Sequence, residues 1–379
     1  MDSIDDLRAY LNFLEKKGHL FRIKREVVKE TELLPLARLQ FRGLPEEERG
    51  AFLFERITDV KGRKYDGRVA AAVYGASRQM FAWGMECENP DEIYERWRQA
   101  LARPIPPVLV PTGPVQEEIH SGNELEQLGM DEFPVPVEEP GFSGTIRTTN
   151  QFITKDPQTG IRNVGTYSGH MRARNRLMCA IGPVHHARLF HWRSAREKGI
   201  PLPAAIVIGA IPAIAYVGSV NIPYGVDELA VAGGLIGRPI ELVKCKTVDI
   251  EVPASAEIVI EGEISTEVGE PYSAFGEYPG YMMMESRSNA VMKINCITHR
   301  KNPIFTPILV GLPPSDNHIL QRYTTECVYY GYLKYECNHP MVLDLAFHES
   351  GSGWNYCVVR MKKSHRSQPW QALYAVAGR

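Results

Sequence analysis

From Ile200 to Val226 the chain carries no charged residue, and the run ends at Asp227-Glu228 (IPLPAAIVIGAIPAIAYVGSVNIPYGVDE). Apolar chain of this length is driven out of water, so it must lie in a protein core or in a bilayer. It is long enough to cross a membrane. However, Pro201, Pro203, Pro212 and Pro223 break it, and Gly209, Gly218 and Gly225 punctuate it, which argues against a membrane helix. The pattern predicts a buried strand from Ala204 to Ala210, a second apolar piece from Ile211 to Val217, and a loop carrying Gly218, Ser219 and Asn221. A carboxylate beside so much apolar chain needs a partner, which makes Glu228 the first candidate for a site.

With 379 residues the chain can form two or three domains around a substantial core. A formal net charge of -2 provides no basic surface for nucleic acid, so that class of partner is not expected. Seven cysteines (Cys87, Cys179, Cys245, Cys296, Cys327, Cys337 and Cys357) include no CxxC pair, which disfavours zinc knuckles and thioredoxin-like chemistry. The odd count and an acidic start (MDSIDDLRAY) without an apolar signal core fit a reducing, cytoplasmic setting.

The opening reads as an amphipathic helix, with Ser3 as its cap, Asp6 at the third helical position and Gly18 as its end. Up to about residue 115, strands (Ala51 to Phe54, Val69 to Val73) mix with a helix near Pro90 to Ala102. The segment PIPPVLVPTGP from Pro104 reads as a rigid, extended linker. Beyond about residue 145 strands dominate. A hairpin is predicted from Thr148 to Tyr167 around Asp156-Pro-Gln-Thr-Gly160, with later strands at Ile240 to Lys244, Glu257 to Ile264, Ala290 to Thr298 and Ile304 to Val310. Val226 to Leu235 and Ala187 to Lys198 read as helices. From Asp316 the order is helix, strand, strand, helix; the chain stops inside that last helical pattern, which reads as a truncated domain.

Three polar positions stand out. Asn163 lies on a strand (IRNVGTY), His185 follows Pro183 (IGPVHHARLF), and Glu228 closes the neutral run. One amide oxygen, one imidazole and one carboxylate suit a divalent ion such as Mn²⁺ or Mg²⁺. Each also has a plain structural reading: a turn amide, a partly buried histidine, and a helix-start acid favoured by the dipole. Glu277 sits among Phe275, Tyr278 and Tyr281 (SAFGEYPGY). An apolar setting of that kind raises a carboxyl pKa towards a proton-transfer role; a loop acid paired with an arginine is the other reading. Gly233-Gly-Leu-Ile-Gly237 matches neither a phosphate loop nor a dinucleotide fingerprint.

Taken together, DLRAYLNFLEKKGHLFRIKREV, DPQTGIRNVGTY, GPVHH, the long segment from NIPYGVDELAVAGG to VPASAEIVIEGEI, FGEYPGY and PPSDNH resemble the UbiD family of prenylated-FMN-dependent decarboxylases. The resemblance implies an α+β fold: a split β-barrel cofactor domain like that of flavin reductases (residues 116–312), an N-terminal α+β region packed on it (1–115), and the start of an α/β oligomerisation domain (313–379). It implies that Asn163, His185 and Glu228 bind a divalent metal, typically Mn²⁺, which bridges to the cofactor phosphate, with K⁺ nearby. It further implies that Gly165, Thr166, Tyr167, Ser168, Val184, Gly218, Ser219 and Val220 lie beside prenylated FMN, and that Glu277 delivers a proton.

The implied reaction is reversible, non-oxidative loss of CO₂ from an aromatic or α,β-unsaturated carboxylic acid. The cofactor would come from a flavin prenyltransferase, and the enzyme would be a homo-oligomer. Two positions depart from the family pattern. Ser168 stands where an arginine is usual, and Tyr272 where a glutamate is usual. His170, Arg172 and Arg174 are the candidates for the missing cation. The departures also suggest an alternative: a low-activity or non-catalytic flavin-binding subunit of a carboxylase complex. A flavin reductase is a weaker alternative.

Overall fold

The computed structural model describes residues 3–141, 144–282 and 289–379. At its centre six strands close into an antiparallel barrel. In order around the barrel they are Ile258–Glu270, Leu202–Ile208, Arg147–Lys155, Arg162–Ala173, Arg176–Ala180 and Asn289–His299, and the last pairs back with the first. Closure leaves none of the six with an unpaired edge. Glu118–Ser121 adds to Asn289–His299 on the outside. The barrel and the α/β elements around it are the α+β architecture expected from the sequence.

The strand Leu202–Ile208 explains the first part of the neutral run. Side chains alternate across a strand. Ala204, Ile206 and Ile208 enter a core with Phe152, Ile258 and Ile260. Ala205 and Val207 enter a second core with Ile153, Val164 and the helices outside. Both faces are dry, so neither tolerates a charge. At Gly209 the backbone turns with φ +74°, and a Cβ there would lie 2.6 Å from Glu257 Cβ. Pro212 then opens a wholly buried short helix, Pro212–Val217, at the position where a missing N–H costs nothing. The segment is therefore strand, helix and loop, and among the described residues no helix is long and apolar enough to cross a membrane.

The N-terminal part contributes a mixed five-stranded sheet containing Leu20–Val28, Ala51–Thr58, Arg68–Ala71 and Ile304–Phe305. The opening helix spans Leu7–Lys16 and starts later than the sequence suggests. Its cap is Asp6, which accepts from the Ala9 backbone at 2.7 Å and from Arg300 at 2.8 Å; Ser3 donates to Asp5 instead. The long-range ion pair with Arg300 selects Asp6 over Ser3.

The proline-rich stretch is not a free linker. Val108–Leu109 forms a parallel edge strand on Glu241–Lys244, and the Ile105 N–H donates to Ala230 O at 2.9 Å. Prolines are tolerated there because an edge strand needs only one row of donors. The strand expected over Ile304 to Val310 stops at Phe305. The backbone after it is taken up by side chains: the Leu309 N–H donates to Asp316 and Leu309 O accepts from Ser315.

The last elements are a helix Asp316–Gly331, a hairpin Val342–Phe347/Cys357–Met361 and a helix Gln368–Ala377. Continuous core packing runs from Leu7 through Val207 to Tyr323. This fixes the helix Asp316–Gly331 against the barrel side that carries the site.

Candidate active site

Asp227 caps the helix Glu228–Ile236 by accepting from the Leu229 N–H at 2.9 Å. The cap aims Glu228, only 5 % exposed, back at the barrel. There its Oε2 accepts the Val164 N–H at 3.2 Å. Asn163, adjacent in the same strand, donates from Nδ2 to the Tyr167 hydroxyl at 3.4 Å. The Tyr167 ring in turn packs on His185 at 5.1 Å between centroids. His185 lies just before a π-helical turn, Ala187–Trp192, a local geometry enriched at functional sites.

These side chains face a cavity of about 340 Å³. Asn163, Val164, Gly165, Thr166 and Tyr167 form one wall, Val184 and His185 a second, and Gly218, Ser219 and Val220 a third, with Glu228 at the base. The third wall is tied to the first: the Thr166 N–H donates to Gly218 O at 2.7 Å, and the Thr166 and Ser219 hydroxyls lie 3.1 Å apart. A fourth wall comes from Gln321, Thr325, Val328 and Tyr329, which share one face of the helix Asp316–Gly331, and from Trp354 and Arg379. Sequence reasoning missed this wall. Its only signal is the spacing of Gln321, Thr325 and Tyr329 one helical turn apart, which is also ordinary helix patterning.

The electrostatics suit a cation. Burial pushes the Glu228 carboxyl up to about 8. Arg162 offsets little of this, because Glu251 (3.0 Å) and Asp227 (3.4 Å) hold its guanidinium. His185 Nδ1 is buried without a hydrogen-bond partner, and burial lowers the ring's pKa so that it stays neutral. A neutral imidazole, an amide and an unpaired buried carboxylate around one cavity form a donor set for a divalent ion.

Two expected residues stand apart from the lining. Ser168 bonds to Thr149 on the neighbouring strand at 2.8 Å. Glu277, half-buried, lies in a tight turn in which its N–H donates to Tyr281 O at 2.9 Å. Burial raises its pKa, and Arg147, Glu139 and Glu138 act on its charge. Tyr272 packs on His170 and Phe275 and is pushed up to about 12 by burial.

Of the three candidates for a replacement cation, Arg172 is held by Pro271 O (2.5 Å) and Ser273 (2.8 Å), and Arg174 by Asp131 (2.7 Å). His170 is fully buried, neither ring nitrogen has a hydrogen-bond partner, and burial drives its pKa down to about 3, so it is not a cation.

The guanidinium at this end is Arg147. It lies 4.2 Å over the Phe275 ring, is 4 % exposed and is paired with Glu138. The register pairs Arg147 with His170 and Thr149 with Ser168, so Arg147 shares a face with Ser168, one diagonal step away. In the sequence it looks like any arginine beside a strand.

Comparison with known proteins accords with this geometry. Residues 108–313 match the 3-octaprenyl-4-hydroxybenzoate carboxy-lyase Rift-related domain of UbiD, and residues 11–101 match the N-terminal domain of the same family. A solved structure of an evolved dimeric form of the UbiD-class enzyme HmfF from Pelotomaculum thermopropionicum, in complex with prFMN, superposes with a TM-score of 0.88 at 31 % identity, covering 99 % of this chain and 83 % of that one. An uncharacterised protein of Aquifex aeolicus is 31 % identical over 98 % of this chain and 78 % of its own length. A phenolic acid decarboxylase of Streptomyces sp. (strain D7) is 31 % identical over 82 % of this chain and 64 % of its own length. With its barrel, its cavity and both family domains in place, the chain belongs to the UbiD family of carboxy-lyases.

Proposed function

We propose that this chain removes CO₂, reversibly, from an aromatic or α,β-unsaturated carboxylic acid, with prenylated FMN in the 340 Å³ cavity and Mn²⁺ or Mg²⁺ on Asn163, His185 and Glu228. The observation that carries it is the convergence of these three residues, from three separate elements, around a buried carboxylate and an orphaned imidazole nitrogen. When bound, the prenylated flavin supplies the electron sink for the pair left behind as CO₂ departs. Gly165, Thr166, Tyr167, Val184, Gly218, Ser219 and Val220 hold it, and Ser168 stands at the end of the same strand segment. K⁺ is a further ion of this site.

The chain's own residues position the substrate and move the proton. Arg147 Nη2 is buried without a hydrogen-bond partner, so it offers an N–H to a substrate carboxylate oxygen. Through Arg147 the cation missing at Ser168 is restored from the neighbouring strand. Glu277, whose pKa burial raises above the usual carboxylate range, gives its proton to the carbon that lost CO₂, and takes one from the same position in the reverse direction. The net change is carboxylate plus proton to hydrocarbon plus CO₂.

The enzyme is read as a cytoplasmic homo-oligomer, dimer or larger, supplied with cofactor by a flavin prenyltransferase. Its domains are read as 1–115, 116–312 and 313–379. A second reading is favoured by the position of Glu277 and Ser168 outside the cavity lining: a flavin-binding subunit of a carboxylase complex with little activity of its own.

Protein purified from cells that also make the prenyltransferase is expected to retain prenylated flavin and a divalent metal. It is also expected to release CO₂ from a member of an aromatic acid panel. Retention of cofactor without turnover of any acid would select the subunit reading. Absence of both flavin and metal from folded protein would remove the proposal.

A further inference from the structure

Beside the barrel strand Asn289–His299, at residues that do not line the cavity, three side chains converge. His120 lies on the added strand Glu118–Ser121, Glu132 ends the short 3₁₀ turn Gly129–Glu132, and His299 ends the barrel strand. Among the described residues they are the one group of at least three His, Cys, Asp or Glu side chains whose ligand atoms all lie within 4.8 Å of one another. His120 Nδ1 is 2.8 Å from Glu132 Oε2, and His299 Nε2 is 3.6 Å from Glu132 Oε1. The two imidazoles meet edge to face, 5.0 Å apart at 79°.

The decisive detail is the proton on His299. Its Nδ1 lies 2.8 Å from Arg300 O, a carbonyl that can only accept, so Nδ1 carries the hydrogen. In the neutral ring, Nε2 is then a lone pair. That nitrogen is buried with no hydrogen-bond partner, on a residue only 5 % exposed. It faces Glu132 Oε1 at 3.6 Å, an oxygen that is itself an acceptor. Two acceptors held face to face at this distance repel each other unless a cation lies between them.

We propose that His120, Glu132 and His299 bind a divalent transition metal of the Zn²⁺ class, at a site separate from Asn163, His185 and Glu228. Two imidazoles and one carboxylate are the donors such an ion prefers. Tetrahedral ligands at about 2.0–2.1 Å from Zn²⁺ stand about 3.3 Å apart, close to the 3.6 Å between His299 and Glu132. The Nδ1 contact to Arg300 O is the outer-shell bond that orients a metal-binding imidazole. His120 and Glu132 remain partly open to solvent, which leaves room for water as a further ligand. The ion would clamp the added strand and the 3₁₀ turn to the barrel, so its role is structural.

The test uses full-length Glu228→Gln protein, in which the cavity site has lost its carboxylate, stripped with a chelator and titrated with Zn²⁺ by calorimetry. One equivalent is expected to bind. Adding Glu132→Gln, or separately His120→Gln, is expected to weaken that binding at least ~10-fold while the fold, read by circular dichroism, is kept. Titration with Co²⁺ is expected to give the visible bands of nitrogen-ligated metal in Glu228→Gln protein and to lose them in both double variants. Failure to bind Zn²⁺, or binding that neither added substitution changes, would overturn the site and leave a proton shared between His299 and Glu132 as the bridging cation.

Discussion

The Val164 N–H donates to Glu228 Oε2 at 3.2 Å, joining the barrel wall to the start of the helix Glu228–Ile236. This contact sets the geometry of the cavity floor. It also leaves the carboxylate short of a countercharge, since one neutral donor does not balance a buried charge.

Replacing Glu228 with Gln should therefore separate stability from function. The apo protein is expected to melt no lower than the parent at pH 8, because a buried ionisable group becomes a neutral one of the same shape. Stabilisation by Mn²⁺ is expected to vanish, and turnover to fall at least ~100-fold. Melting curves with and without Mn²⁺ read both effects. A variant that Mn²⁺ still stabilises would show that Glu228 is not a ligand.

Arg147 should be costly to replace. Arg147→Met leaves Glu138 buried without its main partner, and removal of one member of such a pair typically costs about 3–5 kcal/mol. Urea denaturation measures this. Arg147→Lys keeps a charge but not the guanidinium fork, so the milder variant is expected to stay folded and to raise KM more than it lowers kcat. An unchanged KM would take Arg147 away from the substrate carboxylate.

Glu277→Gln should keep flavin and metal yet lose turnover by about 10²–10⁴-fold, the range of a positioned proton donor. Exchange of deuterium into the product carbon should fall in parallel. If exchange continues at the parent rate, another group supplies the proton.

Stability should fall on acidification below about pH 6.5. Burial holds His170 down to about 3 and His191 and His318 down to about 4, so each stays neutral in the fold while the unfolded chain takes up a proton. Below the unfolded pKa the unfolded state binds more protons, and each such histidine costs about 2 kcal/mol by pH 5. Asp316 opposes this: burial pushes it up to about 7, so it lowers stability as pH rises from about 4 to 7. His170→Phe, into a pocket of Tyr272 and Phe275, isolates one contribution. Its advantage over the parent should grow by about 2 kcal/mol between pH 7 and pH 5 in denaturant melts. A pH-independent difference would mean that His170 titrates alike in the folded and unfolded chain.

Local chemistry made much of the chain legible. Pro201, Gly209 and Pro212 divide the neutral run where the strand and short helix divide, because each acts on its own backbone, whereas Pro203 is taken into the strand Leu202–Ile208, which begins two residues before the expected Ala204. The hairpin around Asp156 and Gly160 follows for the same reason. Asn163, His185 and Glu228 were visible as residue types, and the family resemblance linked them, but nothing in their spacing says that they meet.

Where two partners compete, or where partners are far apart in sequence, only the folded chain decided. Asp6 displaced Ser3 as the cap because Arg300 reaches it. The proline-rich stretch became an edge strand because Glu241–Lys244 offered it hydrogen bonds. Arg147 acquired its place from strand register, and Gln321 and Thr325 became cavity wall only when their helix packed on the barrel. His120, Glu132 and His299 are unremarkable as sequence; barrel closure and the added strand bring them into one cluster. The sequence by itself determined the apolar periodicity, the breaks and the supply of ligand-type residues, all of which act over a few positions. Tertiary structure decided which of those residues share a dry pocket, because burial and long-range pairing exist only once the barrel has closed.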